Sequence, residues 1–298
     1  MDMNSSVMLP IREVSKVTGV NPVTLRAWER RYGLIKPHRT STGHRLYTEA
    51  NVRQIQDILT WLGRGVAVGQ VKHLINNPSN PKDATGSQSL RLIQHYSHAL
   101  QQFDKVRLNQ LFADNMLSLD KLELCKEVFE PLLTQLHKRW QGQFGSHIEE
   151  AFFHGWWHST LSQCLQQANN ALDDAPVLLA SLSDQHCEAD MWLLALMLSA
   201  SGYRVEVIEW EVPASELSLL TDHEAPQALV LFSSQSLQLA QLRRHLPTLM
   251  THLPGTLMIA GPAIRIHHQA LHSLGLGLLE ERATESHARL LDILGGRQ

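Results

Sequence analysis

Residues 21–47 read NPVTLRAWERRYGLIKPHRTSTGHRLY, and this stretch decides the fold of the amino-terminal part. Asn21 supplies an N-cap, and Pro22 takes the first helical position, where a missing N–H costs nothing. A helix over about Val23 to Arg31 follows, closed by Gly33. Its periodicity sends Thr24, Arg26, Arg30 and Arg31 to one side and lets Val23, Leu25 and Trp28 face inward. A short amphipathic helix, Ile11 to Thr18, precedes it and ends at Gly19, and a basic hairpin comes after it. Two short helices across a tight turn, then a hairpin, predict a winged helix-turn-helix whose second helix lays its polar face in a DNA major groove. Helices from Glu49 to about Arg64 and from Val68 to Asn76 complete a first domain, residues 1–78.

Charge separates this head from the rest. The chain has 298 residues and a formal net charge of −3. Residues 1–78 hold eleven Lys and Arg against five Asp and Glu, while the remainder holds fifteen against twenty-four. A basic head on an acidic body fits a DNA reader joined to a sensor or partner-binding part, and argues against a body that lies along nucleic acid. The three cysteines (Cys125, Cys164 and Cys187) lie far apart without metal-ligand spacing, which fits buried thiols in a reducing compartment. No apolar run reaches membrane-spanning length and no signal-peptide profile opens the chain, so a cytoplasmic protein with no membrane partner is expected.

Beyond the head, NNPSNPKDATGSQS (Asn76 to Ser89) reads as a flexible linker, placed at 79–89. Residues 90–172 are helical throughout and suggest a small bundle. Its last helix, His147 to Ala168, turns Ile148, Ala151, Phe152, Trp156, Leu161 and Leu165 inward. From 173 to 298 short apolar strands (Pro176–Ser181, Arg204–Glu209, Ala228–Phe232, Thr256–Ala260) alternate with helices. That alternation implies a parallel sheet covered on both faces, whose ligands bind beyond the strands' carboxyl ends.

The stretch TLRAWERRYGLIKPHRTSTGHRLY (residues 24–47) resembles the signature of the MerR family of transcriptional regulators, in the branch that holds CarH/LitR and MlrA. The resemblance implies that Arg45 of the wing touches the phosphate backbone, with Arg39 at the wing's base and the second helix reading bases. The candidate DNA-binding set is Thr24, Arg26, Arg30, Arg31, Arg39, His44, Arg45 and Tyr47. The implied partners are double-stranded promoter DNA, further copies of the chain in a dimer or higher homo-oligomer, and RNA polymerase.

A second resemblance concerns the body. LASLSDQHCEADMWLLALMLSASGYRVEVIEW (residues 179–210) is similar to the cobalamin-binding domain of corrinoid methyltransferases and of the CarH/LitR photoreceptors. The expected fold class is therefore multidomain α and α/β: a winged helix-turn-helix, a helical bundle of cobalamin-cap type, and a Rossmann-like parallel α/β domain of cobalamin-binding type. By that resemblance His186 is the lower ligand to the cobalt of cobalamin and Asp184 orients it. Trp140 and Glu150 cap the corrin, and Ser233 and Gly261 line its tail. Four positions depart from the pattern. Ala151 stands for a histidine, Ala189 for a glycine, Trp210 for a small residue, and Pro262 for the second glycine of a pair.

The expected function is a sequence-specific, DNA-binding transcriptional regulator whose body senses adenosylcobalamin and, through it, light. The alternative is a MerR-type regulator whose degenerate body binds no cobalamin and serves oligomerisation, protein interaction or another ligand. No catalytic barrel, second substrate domain or acid–base constellation is legible, which argues against an enzyme.

Overall fold

The computed structural model describes residues 8–40, 42–64, 66–75, 87–141, 145–183 and 187–295. The chain divides into two compact units, residues 1–83 with 134–150, and residues 84–133 with 151–298.

The first unit opens with β1 (Leu9–Pro10) and α1 (Ile11–Thr18), which ends at Gly19. The Asn21 side chain accepts the Val23 N–H at 2.8 Å, and Pro22 begins α2 (Pro22–Ala27) as expected. The helix then widens into a π-helical turn, Trp28–Tyr32, which Gly33 closes at φ +58° with its N–H bonded to the Trp28 carbonyl. Strands β2 (His38–Arg39) and β3 (Arg45–Tyr47) form the wing hairpin. With β1 they make an antiparallel sheet in the order β1-β3-β2, Leu9 opposite Tyr47 and Arg39 opposite Arg45. Thr48 starts α3 (Glu49–Gly63) through a reciprocal capping box with Asn51, and α4 (Val68–Ile75) follows. Val14, Leu25, Trp28, Leu34, Ile35, Ile55, Ile58, Trp61 and Val71 fill the core. Each such side chain removed from water stabilises by roughly 1.5–3 kcal/mol. Gln141 hydrogen-bonds Thr60 of α3, which joins residues 134–150 to this unit.

The second unit begins with α5 (Ser87–Gln101), α6 (Lys105–Ser118) and the short α7 (Lys121–Leu124), which runs through a π turn, Cys125–Phe129. Two further helices, α8 (Glu130–Trp140) and α9 (Ser146–Asn169), each straddle the division between the units. Tyr96, Phe112, Phe129, Phe153, Trp156 and Trp157 build an aromatic centre, with Phe112 stacked on Phe129 at 5.7 Å and Phe153 on Trp157 at 5.5 Å. Along α9, Trp156, Leu161 and Leu165 are buried as expected, while Ile148 and Ala151 are exposed and Phe153 and Trp157 are buried in addition. A 3.6-residue period fixes the width of a stripe but not its phase when apolar residues crowd every face.

The sheet holds β4 (Val177–Ser181), β5 (Val205–Ile208), β6 (Ala228–Phe232), β7 (Thr256–Ala260) and β8 (Gly277–Leu278), all parallel, in the order β5-β4-β6-β7-β8. Its connecting helices are α10 (Ala189–Ala200), α11 (Ala214–Glu224), α12 (Leu239–His252), α13 (Ala263–His272) and α14 (Ala283–Leu294). Leu178, Ala180, Leu229, Leu231, Leu257 and Ile259 pack with Leu217, Leu242, Leu246, Leu249 and Ile264 of α11, α12 and α13. The alternate residues of each strand face the other side, where α10 packs with α14. Helix α10 is apolar all round because it is covered all round: Met191 to Leu198 are buried, and the Trp157 indole donates to the Ala189 carbonyl at 3.1 Å. Glu130 is 3% exposed and caps α14 from outside. It accepts the Thr284 N–H at 3.0 Å and the Thr284 hydroxyl at 2.8 Å, and pairs with Arg282. Strand β8 and helix α13 are elements the sequence pattern does not announce; two residues of strand carry no alternation to read.

Candidate DNA-binding surface and the cleft of the second unit

On α2 and its π turn, Thr24, Arg26, Arg30 and Arg31 are exposed, as expected from the sequence. Between them Glu29 behaves differently. It is mostly covered, and its two carboxylate oxygens take the guanidinium groups of Arg39 (2.7 Å) and Arg45 from the wing. Burial alone would raise the Glu29 carboxyl; the hydrogen bonds and charges of the two arginines overcome this and hold it below the usual carboxylate range. The pairing ties wing to helix and neutralises the one carboxylate of α2 and its π turn. Glu29 is the residue that sequence reasoning missed. Its signal, an acid within an arginine-rich helix followed by a basic hairpin, was available.

Three expectations change. Tyr47 is fully buried, part of the head's core opposite Leu9, and offers no surface to DNA. The two-residue alternation of β3 puts Tyr47 and Arg45 on the same face, and that face looks inward. Arg45, 18% exposed at its side chain, accordingly has Glu29 as its partner rather than an open guanidinium. Val23, expected inside, is 67% exposed, while Leu25 and Trp28 take the inward places. His44 lies exposed at the wing tip, where its N–H bonds the Thr40 hydroxyl and its carbonyl accepts the Thr40 N–H. Arg39 is half exposed at the wing base.

In the second unit the chain leaves β4 on one side for β5 and returns on the other for β6, so the strand order reverses between β4 and β6. A crevice forms at such a switch point because the two following loops diverge. A cleft of about 490 Å³ opens there, lined among others by Leu182, Ser183, Val212, Gln235, Leu237 and His245. Asp184 and His186, the expected lower-ligand pair, lie outside the described residues. Beside them Glu188, 3% exposed, joins the two loops: one carboxylate oxygen accepts the Ser183 hydroxyl at 2.5 Å and both the N–H and hydroxyl of Ser234 at 3.0 Å. Burial raises its pKa despite these bonds. Its sequence signal is an acid immediately before a wholly apolar helix.

The remaining cofactor candidates have partners within the protein. Ser233 is fully buried, its hydroxyl donating to the Gln235 carbonyl and accepting the Gln235 N–H, both at 3.1 Å. Gly261, at φ +94°, approaches the protein itself: a Cβ there would meet the Ser233 carbonyl oxygen at 2.7 Å and the Phe232 ring at 3.0 Å. Trp140 is buried and donates its indole N–H to Glu149 at 3.1 Å, not to Glu150. Glu149 also pairs with Arg139. Glu150 instead pairs with His147 at 3.5 Å. Ala189 is buried, its carbonyl accepting the Trp157 indole N–H, and Trp210, which stands for a small residue of the pattern, is 75% exposed. Among the described residues no group of three or more His, Cys, Asp or Glu is placed to hold a metal ion. No helix among them is long and apolar enough to cross a membrane.

Comparison with known proteins fits this architecture. Residues 9–77 match the MerR HTH family of regulatory proteins. The HTH-type transcriptional regulator MlrA of Salmonella typhimurium is 30% identical over 199 residues, 66% of this chain and 78% of that protein. The HTH-type transcriptional repressor CarH of Myxococcus xanthus is 25% identical over 290 residues, covering 91% of this chain and 94% of that protein. Among solved structures, the monomethylamine corrinoid protein of Methanosarcina barkeri shares the fold with a TM-score of 0.51 at 11% identity, over 69% of this chain and 99% of that one. By the family match over its head and its likeness to MlrA over most of that protein's length, the chain belongs to the MerR family of helix-turn-helix, DNA-binding transcription regulators.

Proposed function

We propose that the protein binds promoter duplex as a homodimer or higher homo-oligomer. Thr24, Arg26, Arg30 and Arg31 of each head read the major groove, while Arg39 and His44 of the wing lie against the backbone. The observation that carries this reading is electrostatic. Arg26, Arg30 and Arg31 stand exposed with no ion pair among the described residues, and the carboxylate between them is already neutralised by Arg39 and Arg45. An unpaired cationic row on a protruding helix gains most from a polyanion whose counterions it releases. Arg45 then acts through the wing: by holding Glu29 it keeps the hairpin against the helix, so Arg45→Ala weakens binding to every sequence alike. The test is affinity for the duplex upstream of the protein's own gene against random duplex at physiological salt, with a salt titration. A preference for the upstream duplex and a steep fall with salt are expected; equal affinity for both duplexes overturns the reading.

A second reading concerns the body, and the Ser233–Gly261 packing favours it. The resemblance implies adenosylcobalamin and a light response, yet the described candidates spend their polar groups on the protein. The body then serves as an assembly or effector module without a corrinoid, with the cleft beyond β4 and β6 as the seat of any effector, and the chain regulates rather than catalyses. The check is incubation with adenosylcobalamin in the dark, gel filtration and an absorption spectrum. No co-eluting corrinoid is expected. A co-eluting spectrum that His186→Ala abolishes would restore the photosensor.

A further inference from the structure

Val23 is 67% exposed on α2, directly beside the exposed Thr24 and one turn from the exposed Arg26. Burial within the head does not explain this side chain, and valine is among the weaker helix formers at an exposed position. Its polar neighbour toward the amino terminus is already committed: the Asn21 side chain accepts the Val23 N–H at 2.8 Å. The next residue along the outward row is a cation, and the next inward one, Leu25, is fully buried. The outward tip of the reading helix therefore offers two branched methyl groups, then a hydroxyl, then a guanidinium. In the major groove only thymine presents a methyl group, and it presents it at the groove edge; guanine presents the acceptors that suit arginine.

We infer that Val23 reads the C5-methyl group of a thymine in each half-site. It thereby specifies a T·A pair next to the base pair that Arg26 contacts. This rests on the reading of α2 as the base-contacting helix. The occupant is duplex DNA rather than protein because the valine is set among unpaired cationic side chains, and a protein partner would have to bring carboxylates to meet them. A phosphate contact cannot be its role, since an aliphatic side chain offers no donor.

The experiment uses the full-length chain. A duplex enriched from a random pool by the wild-type protein is resynthesised with deoxyuridine replacing one thymine at a time, which deletes a single methyl group and leaves every hydrogen-bonding atom in place. At one thymine per half-site the wild type is expected to lose about threefold to fivefold in affinity, the size set by one buried methyl group. Val23→Ala should bind the thymine duplex about as weakly as the wild type binds the deoxyuridine one, and should not distinguish the two. Val23→Thr, which keeps one methyl group, should fall between. Unchanged thermal unfolding of both variants excludes a folding defect. A wild type indifferent to deoxyuridine at every position, or a Val23→Ala variant that keeps full sensitivity, overturns the assignment while leaving DNA reading intact. A wild-type protein that enriches no sequence at all refutes the reading of α2 itself, and Val23 with it.

Discussion

On α2, Arg26, Arg30 and Arg31 face solvent with no ion pair among the described residues. At the ends of β4 and β6, by contrast, Glu188 accepts from Ser183 and Ser234, the Ser233 hydroxyl is bonded to the Gln235 backbone, and Gly261 closes on the Ser233 backbone. Both regions are rich in polar side chains, and both were singled out as candidate sites in the sequence. They differ in who answers the hydrogen bonds. Strong donors left unanswered on a surface gain from an outside partner, whereas groups that answer one another within the protein gain less from one. Glu29 shows the same logic inside the head, because its pairing with Arg39 and Arg45 makes the reading helix uniformly cationic.

The sharpest way to break this contrast is Gly261→Ala. The added methyl group meets a carbonyl oxygen at 2.7 Å, and alanine is strained at φ +94°, so chemical denaturation should show a loss of about 3 kcal/mol or more. If Gly261 faced an open ligand channel, only the backbone strain of alanine would remain, a loss of about 1–2 kcal/mol, and ligand uptake would fall as well. Arg30→Ala should do the reverse. Affinity for the selected duplex falls about tenfold, the equivalent of ~1.4 kcal/mol, while the unfolding midpoint stays put because an exposed side chain is lost. Equal loss of stability in both variants would erase the distinction between the two regions.

The smallest effect expected is a pH dependence near the cleft. His267, at a kink in α13, accepts the Leu237 N–H through Nε2 at 3.0 Å, and burial lowers its pKa below the ordinary 6.5. The folded state therefore favours neutral imidazole. As pH falls below 6.5 the unfolded chain takes up the proton first, so stability complete above that value is lost on the way down to the folded pKa. His267→Gln offers a carbonyl oxygen to the same N–H without titrating. Thermal melts between about pH 7 and 5 should show a flatter decline in that variant than in the wild type. An identical slope would mean that the bond contributes nothing to the loop.

Much of the head is legible residue by residue because its determinants are local. Asn21, Pro22, Gly33 and Thr48 act on backbone groups within a few positions of themselves, and each does in the structure what its chemistry suggests. The exposed row Thr24, Arg26, Arg30 and Arg31 follows from helical spacing alone. What escaped reading there depended on phase and distance. Val23 faces out and Tyr47 in because the first residues of a helix and the end of a three-residue strand carry too little pattern to fix a side. Glu29 finds Arg39 and Arg45 ten and sixteen positions away across the wing. In the body the alternation of strands and helices revealed the parallel sheet, while β8 and α13 left no clear signal.

Sequence alone determined that this chain has a cationic helix-turn-helix head and a body of alternating strands and helices, since helix caps and periodicity are properties of neighbouring residues; the corrinoid-protein type of that body is what its resemblance implies. Only the tertiary structure decided which polar groups remain free. The Ser233 carbonyl fills the space beside Gly261, Glu188 bridges to Ser234 forty-six positions away, and Trp140 donates to Glu149. Such pairings are set by how strands and helices are brought together in three dimensions. They separate the exposed arginines of α2 from the polar groups around Glu188 and Ser233 that bond within the protein.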